Sequence, residues 1–277
     1  NRNRELNAMN PRLLRPALCV ALGVLAAAPA SAACLRNVAA APSPLRLASL
    51  ALAEVPVGSV GVTYVGHSSF LIETARGATI VTDYNDYVRP LITPDIVTMN
   101  NAHSTHFSVM VAPGVKHALQ GWGTPERAAA HDLAYLDVQI RNVPTNVREV
   151  GGTRYNGNSI FVFETAGLCI AHLGHLHHRL TPEHLAELGQ IDVLFVPVDG
   201  VWTLNQNAML EVVEQIRSPL VIPMHFFSGA SLQSFIGRII GAPALGYEVR
   251  FSDTPSIVLS RANLPQKPEL LVLQPGR

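Results

Sequence analysis

The sequence has few cysteines, few charged residues and no long apolar run, and each shortage excludes a class of protein. Its three cysteines form no Cys-x-x-Cys pair, so no cysteine-based metal or redox motif is present. Charged residues make up 14% of the chain, Lys plus Arg equals Asp plus Glu, and no basic stripe or acidic run occurs. Nucleic acids and anionic membranes are therefore not expected partners. The apolar run at residues 17–28 is shorter than the ~20 residues that a membrane-spanning helix needs.

The beginning of the sequence is typical of an export signal. Arg12 and Arg15 precede the apolar run, and the small residues 30–32 follow it as a cleavage site. We interpret residues 1–32 as upstream residues and a signal peptide starting at Met9, residues 33–56 as an N-terminal extension, and residues 57–277 as one domain. The expected location is periplasmic or secreted, without stable membrane insertion after cleavage. An uncleaved anchor is the alternative.

Removal of the signal would leave two cysteines, Cys34 and Cys169. An oxidising compartment allows them to form a disulfide, and lipidation of Cys34 is a further alternative. Cys169 lies in the apolar segment 168–171, which favours a buried, inert thiol.

The order of predicted elements indicates a mixed α/β domain. Strand patterns come first, and helices and strands alternate after them. The predicted strands are residues 59–65, 70–73, 79–82, 95–99, 116–121, 137–142, 159–164, 168–171, 191–196, 220–223, 248–251 and 256–259. The predicted helices start at Thr181-Pro182, at Asn205 and at Ser231. This order predicts two packed sheets with helices outside them.

Five of the eleven histidines lie in the loops that follow predicted strands. They are His103, His106, His172, His175 and His225. Loops at strand ends are where a sheet presents functional groups, and imidazole is a common zinc ligand. Three such clusters in succession predict a metal site. His177 and His178 are expected to be solvated or to support the site from outside.

Residues 57–260 resemble the metallo-β-lactamase superfamily, in particular its lactonase-like and phosphodiesterase-like hydrolases. The resemblance depends on several motifs in the expected order: Gly66-His67-Ser68-Ser69-Phe70, Thr82-Asp83, residues 101–106 in place of His-x-His-x-Asp-His, residues 172–175 in place of His-Leu-Gly-Asp, and Met224-His225. It implies the αβ/βα four-layer sandwich of that superfamily, with Asp83 supporting a metal site.

Three positions depart from the family pattern. Asn101 replaces the first ligand histidine, Thr105 replaces the signature aspartate, and His175 replaces the bridging aspartate. The two lost carboxylates hold the second metal in the family. The five remaining histidines therefore suggest one ion, with zinc expected, although a second ion or another divalent metal stays open.

The resemblance implies hydrolysis of a small-molecule ester, lactone or phosphodiester by metal-bound hydroxide. With Thr105 in place of the carboxylate, the general base would be His175, His67 or Asp83. One alternative is a catalytically weak or inactive relative that binds a metal or a ligand in the cell envelope. A structural envelope protein without metal is the other.

Overall fold

The computed structural model describes residues 54–275. The predicted signal and Cys34 lie outside these residues, as does most of the N-terminal extension. Within them the chain forms the strands β1 (Ser59–Gly66), β2 (Ser69–Thr74), β3 (Thr79–Val81), β4 (Ile96–Met99), β5 (His117–Gln120), β6 (Asp132–Tyr135), β7 (Val138–Glu149), β8 (Gly152–Thr165), β9 (Leu168–His172), β10 (Val193–Pro197), β11 (Leu220–Met224), β12 (Glu248–Phe251), β13 (Ser256–Ser260) and β14 (Glu269–Val272). The helices are α1 (Pro182–Leu188), α2 (Gln206–Ile216) and α3 (Gly229–Ile240).

The strands form two sheets. The first has the order β13-β1-β2-β3-β4-β5, and the second has the order β12-β14-β11-β10-β9-β8-β7-β6. Strands β3, β4 and β5 are parallel, as are β9, β10, β11 and β14. The carboxyl ends of parallel strands lie at the same edge of a sheet, so the loops that follow them lie together. These loops carry the predicted histidines.

A core of large apolar side chains fills the space between the sheets. Phe70 of the first sheet stacks on Phe195 of the second, with ring centroids 4.0 Å apart. Burial of one such side chain contributes roughly 1.5–3 kcal/mol. Phe70 lies at the start of the strand after His67, and Phe195 lies in β10, between the two strands β9 and β11 that lead to histidines. This contact therefore helps to hold the loops of one sheet against those of the other.

The outer faces of the sheets are covered differently. A second apolar cluster joins the eight-stranded sheet to α1, α2 and α3 through Leu188, Met209 and Phe235. Loop residues between 84 and 122, among them Tyr84 and Trp122, cover the outer face of the six-stranded sheet. No helix in the part of the chain that the structure describes is long and apolar enough to cross a membrane.

The helix starts follow the predicted capping residues. The Thr181 side chain accepts the backbone N–H of His184, and the Asn205 side chain accepts that of Ala208, so each satisfies a donor that the first helical turn leaves free. Helix α3 begins two residues before the predicted start at Ser231. The fold class is confirmed, with two packed sheets in a mixed α/β domain.

Three expectations were incomplete or wrong. Strands β6 and β14 were not predicted, and β7 and β8 form a much longer hairpin than the patterns indicated. The expectation of an inert thiol at Cys169 was also wrong, because Cys169 is disulfide-bonded. The apolar surroundings of this residue are compatible with either state, so burial could not distinguish them.

Candidate metal centre

Six loops from both sheets meet at one edge of the structure. They follow β1, β3, β4, β9, β10 and β11. A direct link between the sheets is the bond from the backbone N–H of His225, after β11, to the carbonyl of His67, after β1, at 2.7 Å. The Tyr64 hydroxyl donates to the same carbonyl at 2.8 Å.

Three residues of this edge have an unusual backbone. His67, Asp83 and His225 have φ values of 53°, 44° and 55°. Residues other than glycine rarely adopt this left-handed backbone conformation, and those that do concentrate at functional sites. The conformation turns each chain sharply at the end of its strand.

Two buried imidazoles face each other at the centre of this edge. The Nε2 atoms of His106 and His225 lie 3.0 Å apart. On the far side of each ring, Nδ1 of His106 is 2.6 Å from Asp83 Oδ2, and Nδ1 of His225 is 3.0 Å from Asp199 Oδ1. The first contact is a hydrogen bond. In the second, Nδ1 of His225 is close to Asp199 Oδ1, but its N–H does not point at that oxygen.

The carboxylates determine what the two Nε2 atoms present. A carboxylate beside Nδ1 favours a proton on that nitrogen and leaves a lone pair on Nε2. Two lone pairs at 3.0 Å repel each other unless a proton or a metal cation lies between them. The distance is close to the separation of about 3.3 Å that two nitrogen ligands of one tetrahedral zinc ion would have.

His67 supplies a third nitrogen to this centre. Its Nε2 is buried and has no hydrogen-bond partner among the described residues. One ligand atom each from His67, His106 and His225 lies within 4.8 Å of the others. An unpaired buried nitrogen is costly, and a bound cation would remove that cost.

His172 is directed elsewhere. Its Nδ1 accepts the backbone N–H of Gly174 at 3.0 Å, so a neutral ring carries its proton on Nε2, which donates to the carbonyl of Ser68 at 2.7 Å. Both ring nitrogens are therefore used to tie the β9 loop to the β1–β2 turn. The structure does not bring a free nitrogen of His172 to the centre.

His175 and His103 lie at the side of the centre. The His175 ring centroid is 4.7 Å from that of His106 and 5.1 Å from that of His225. Its Nδ1, however, is 2.5 Å from Nε2 of His177. His103 is exposed, stacks on His175 at 5.6 Å, and has its Nδ1 3.1 Å from the Thr105 hydroxyl.

The first altered signature position, Asn101, faces the protein rather than the ring cluster. Asn101 is buried and pairs with Asn158 in an isolated β-bridge. Its side-chain oxygen accepts from Arg154 Nη2 at 3.3 Å. The position of the family's first ligand histidine thus belongs to a wall of the site.

Burial keeps His106 and His67 neutral. It lowers the pKa of His106 well below the ordinary value and, together with the neighbouring His225, lowers the pKa of His67 to about 4. Burial also raises the pKa of Asp83. At Asp199 burial acts in that direction too, but contacts with His225 and Thr203 outweigh it and lower the pKa of the carboxyl. Neutral imidazoles with free lone pairs are the form that binds metals.

Sequence reasoning did not single out Asp199. The residue is the second after β10, and its carboxylate accepts the backbone N–H groups of Val201, Trp202 and Thr203. A carboxylate just after an apolar strand is the signal that could have identified it, because the histidines occupy equivalent positions.

Gly174 is required where the β9 loop approaches the wall of the site. Its φ is +60°, and a Cβ there would lie 2.6 Å from Asn100 Cβ and 2.7 Å from Asn158 Oδ1. We expect Gly174→Ala to lower the free energy of unfolding by about 1–3 kcal/mol, as measured by urea unfolding. Gly151→Ala is the control, because its φ is +91° but nothing lies within 4 Å of the added carbon. Equal losses in the two variants would contradict the steric explanation.

Comparison with known proteins identifies the family. Residues 61–225, more than half of the chain, match the model of the beta-lactamase superfamily domain. The chain belongs to this family. A UPF0173 metal-dependent hydrolase of Nanoarchaeum equitans is 24% identical over 189 residues, which are 60% of this chain and 83% of that protein.

Two solved structures have the same fold. A candidate zinc-dependent hydrolase of the metallo-β-lactamase superfamily from Thermotoga maritima matches with a TM-score of 0.56 and 28% identity, covering 78% of this chain and 100% of that one. A metallo hydrolase from Ignicoccus hospitalis matches with a TM-score of 0.53 and 20% identity, covering 73% and 99%. The superfamily resemblance found in the motifs is confirmed.

Proposed function

We propose that this protein is a hydrolase that works with one divalent cation, for which zinc is the expected metal. The observation that carries the proposal is the pair of facing Nε2 atoms of His106 and His225, each backed by a carboxylate. The relatives described as metal-dependent hydrolases support it.

His106, His225 and His67 would hold the cation. They fit it because the first two direct Nε2 to one point and the third has a buried nitrogen without a partner. Three protein nitrogens with a further position open are the usual set of a catalytic zinc site. When bound, such a cation lowers the pKa of water towards ~7 and polarises a carbonyl or phosphoryl oxygen.

Asp83 and Asp199 would act as positioning residues. Asp83 accepts the backbone N–H of Asn100 at 3.1 Å with one oxygen and His106 with the other, so both oxygens are used in holding the site. Asp199 is held by three backbone N–H groups through one oxygen, and its other oxygen lies 3.0 Å from Nδ1 of His225. Fixing the rings in this way keeps their lone pairs directed at the cation.

The substrate would carry an apolar group beside the bond that is cleaved. Phe227 is 64% exposed, and its ring centroid is 5.0 Å from that of His67 and 5.3 Å from that of His225. Val201 and Trp202, in the loop after β10 that carries Asp199, are two further exposed large apolar side chains. An apolar ester, lactone or phosphodiester matches this rim better than a small charged molecule does.

A substrate panel with metal analysis tests the proposal. Protein purified without added metal should contain close to one cation per chain and should hydrolyse an aryl ester, an acyl lactone or a bis-aryl phosphodiester in a chelator-sensitive reaction. Phe227→Ala should raise KM for the aryl substrate about tenfold or more. Phe251→Ala, at the end of the outer strand β12, is the matched control and should leave KM unchanged.

A metal-binding protein without hydrolytic activity is the second candidate, favoured by Asn101 and Thr105 in place of signature residues. Full metal content without hydrolysis of any substrate would support it. Protein that never binds a divalent cation would contradict both candidates.

Export remains part of the proposal. The disulfide at Cys169 supports an oxidising compartment, because structural disulfides are rare in the cytosol. Mass spectrometry of the protein from its host would show whether the chain begins near Ala33.

A further inference from the structure

A chain of hydrogen bonds connects the backbone of the long β7–β8 hairpin to His175. The N–H of Arg148 donates to Nδ1 of His177 at 3.2 Å. Nε2 of His177 lies 2.5 Å from Nδ1 of His175. His175 is itself anchored by its backbone N–H, which donates to the side-chain oxygen of Asn158 at 2.9 Å.

The direction of every bond in this chain follows from its first donor. A backbone N–H can only donate, so Nδ1 of His177 carries a lone pair and the ring of His177 has its proton on Nε2. That proton is donated to His175, so Nδ1 of His175 also carries a lone pair. The remaining proton of a neutral His175 ring is then on Nε2.

Nε2 of His175 is on the side of the ring away from His177. It has no hydrogen-bond partner among residues 54–275. It is also not completely enclosed, so a ligand can reach it. The ring packs edge-to-face against His106 and His225. His175 therefore has a free N–H beside the candidate metal centre, whereas His106 and His225 have lone pairs there.

We propose that His175 is a hydrogen-bond donor beside the candidate metal centre. Its proton is fixed on Nε2 by His177 and the Arg148 backbone. This role differs from both of those implied by the family resemblance, a metal ligand and a general base, since each requires a lone pair at Nε2. A carboxylate, which the family has at this position, offers only lone pairs, so the N–H of His175 reverses that polarity. The group it would recognise is an oxygen with a lone pair, such as the carbonyl or phosphoryl oxygen of a substrate.

Nitrogen NMR of the histidine rings tests the donor directly. In protein labelled with ¹⁵N-histidine, two-bond proton–nitrogen correlations distinguish a proton on Nε2 from one on Nδ1. We expect the Nε2–H form for His175 in metal-free protein, and we expect it to persist after addition of zinc. In His177→Leu, His175 should no longer favour the Nε2–H form. In His178→Ala, which alters the neighbouring ring without touching His175, the Nε2–H form should persist.

Two outcomes would overturn the proposal: a proton on Nδ1 of His175 in the metal-free protein, or loss of the Nε2 proton when zinc binds. The first measurement needs neither metal nor substrate. It therefore tests the hydrogen-bond pattern even if zinc does not bind. Failure of zinc to bind would overturn the proposed function and not this inference.

The use of this donor in catalysis rests on the proposed function and has its own test. Loss of one donor to a developing oxyanion typically lowers kcat by about 100-fold or more. We expect that effect for His175→Leu, and we expect His175→Gln to recover at least about tenfold of it, because a glutamine amide also presents N–H. Metal content should be unchanged in both. If glutamine recovers no more activity than leucine, the donor has no part in catalysis.

Discussion

Replacing His225 with alanine is expected to empty the metal centre, whereas replacing His172 with alanine is expected to leave it filled. His172 ends β9 and His225 follows β11, two strands of the same parallel group, and both residues are buried. They differ in the direction of their nitrogens. Nε2 of His225 faces His106, while both nitrogens of His172 are bonded to the protein. Loss of one of three protein donors leaves too few for a stable site.

The measurements are metal content by plasma mass spectrometry and the rise of Tm on addition of zinc. A ligand that binds only the folded state raises its stability, so the rise should vanish in His225→Ala and persist in His172→Ala. Activity should fall in His225→Ala by more than the 10–100-fold typical of residues that only support a ligand. His172→Ala should unfold more easily by about 1–3 kcal/mol, because the Gly174 N–H and the Ser68 carbonyl lose a buried partner.

The comparison has a clear opposite result. If His172→Ala loses its metal while His225→Ala retains it, the proposed ligand set is wrong.

Replacing Asp83 with asparagine is expected to weaken metal binding about 10–100-fold with little change of shape. Asparagine tolerates the left-handed backbone that Asp83 adopts. Its side-chain oxygen can still accept the N–H of Asn100, which turns the amide N–H₂ towards Nδ1 of His106. The ring must then accept at Nδ1 and carry its proton on Nε2, the atom that should bind the metal.

Zinc affinity by competition with a fluorescent chelator measures this effect. Tm in the absence of metal should change little, since the volume and the hydrogen bond to Asn100 are retained. Asp95→Asn is the control: Asp95 precedes β4, at the opposite edge of the sheet, and forms an ion pair with Lys116. Unchanged zinc affinity in Asp83→Asn would show that this carboxylate does not determine the proton position on His106.

The order of most elements along the chain was predictable, and so was the gathering of His106, His175 and His225 at one edge, because both depend on local pattern. Short apolar segments before the histidine clusters indicate strands, and the polar residues after them indicate one functional edge. The β7–β8 hairpin was underestimated because Pro144 and the glycines at 151 and 152 are typical of turns. In the structure, Pro144 lies inside β7, opposite Ser159.

The direction of each ring could not be predicted. His67 and His172 each belong to a motif near the site, yet His67 keeps an unpaired nitrogen at the centre while His172 bonds to the backbone. The difference arises from the left-handed backbone at His67 and from the position of Gly174 beside His172. Both are tertiary features that the spacing of histidines does not encode.

The bond between the His225 N–H and the His67 carbonyl has a consequence for biosynthesis. The candidate ligands are separated by 158 positions in the chain, and they belong to different sheets. A nascent chain therefore has no metal centre until residue 225 has been made and the sheets have docked. Any cation that this protein binds is therefore bound late, by an almost completely folded chain. Metal content should then increase only at the last stage of folding, and metal binding should not start folding.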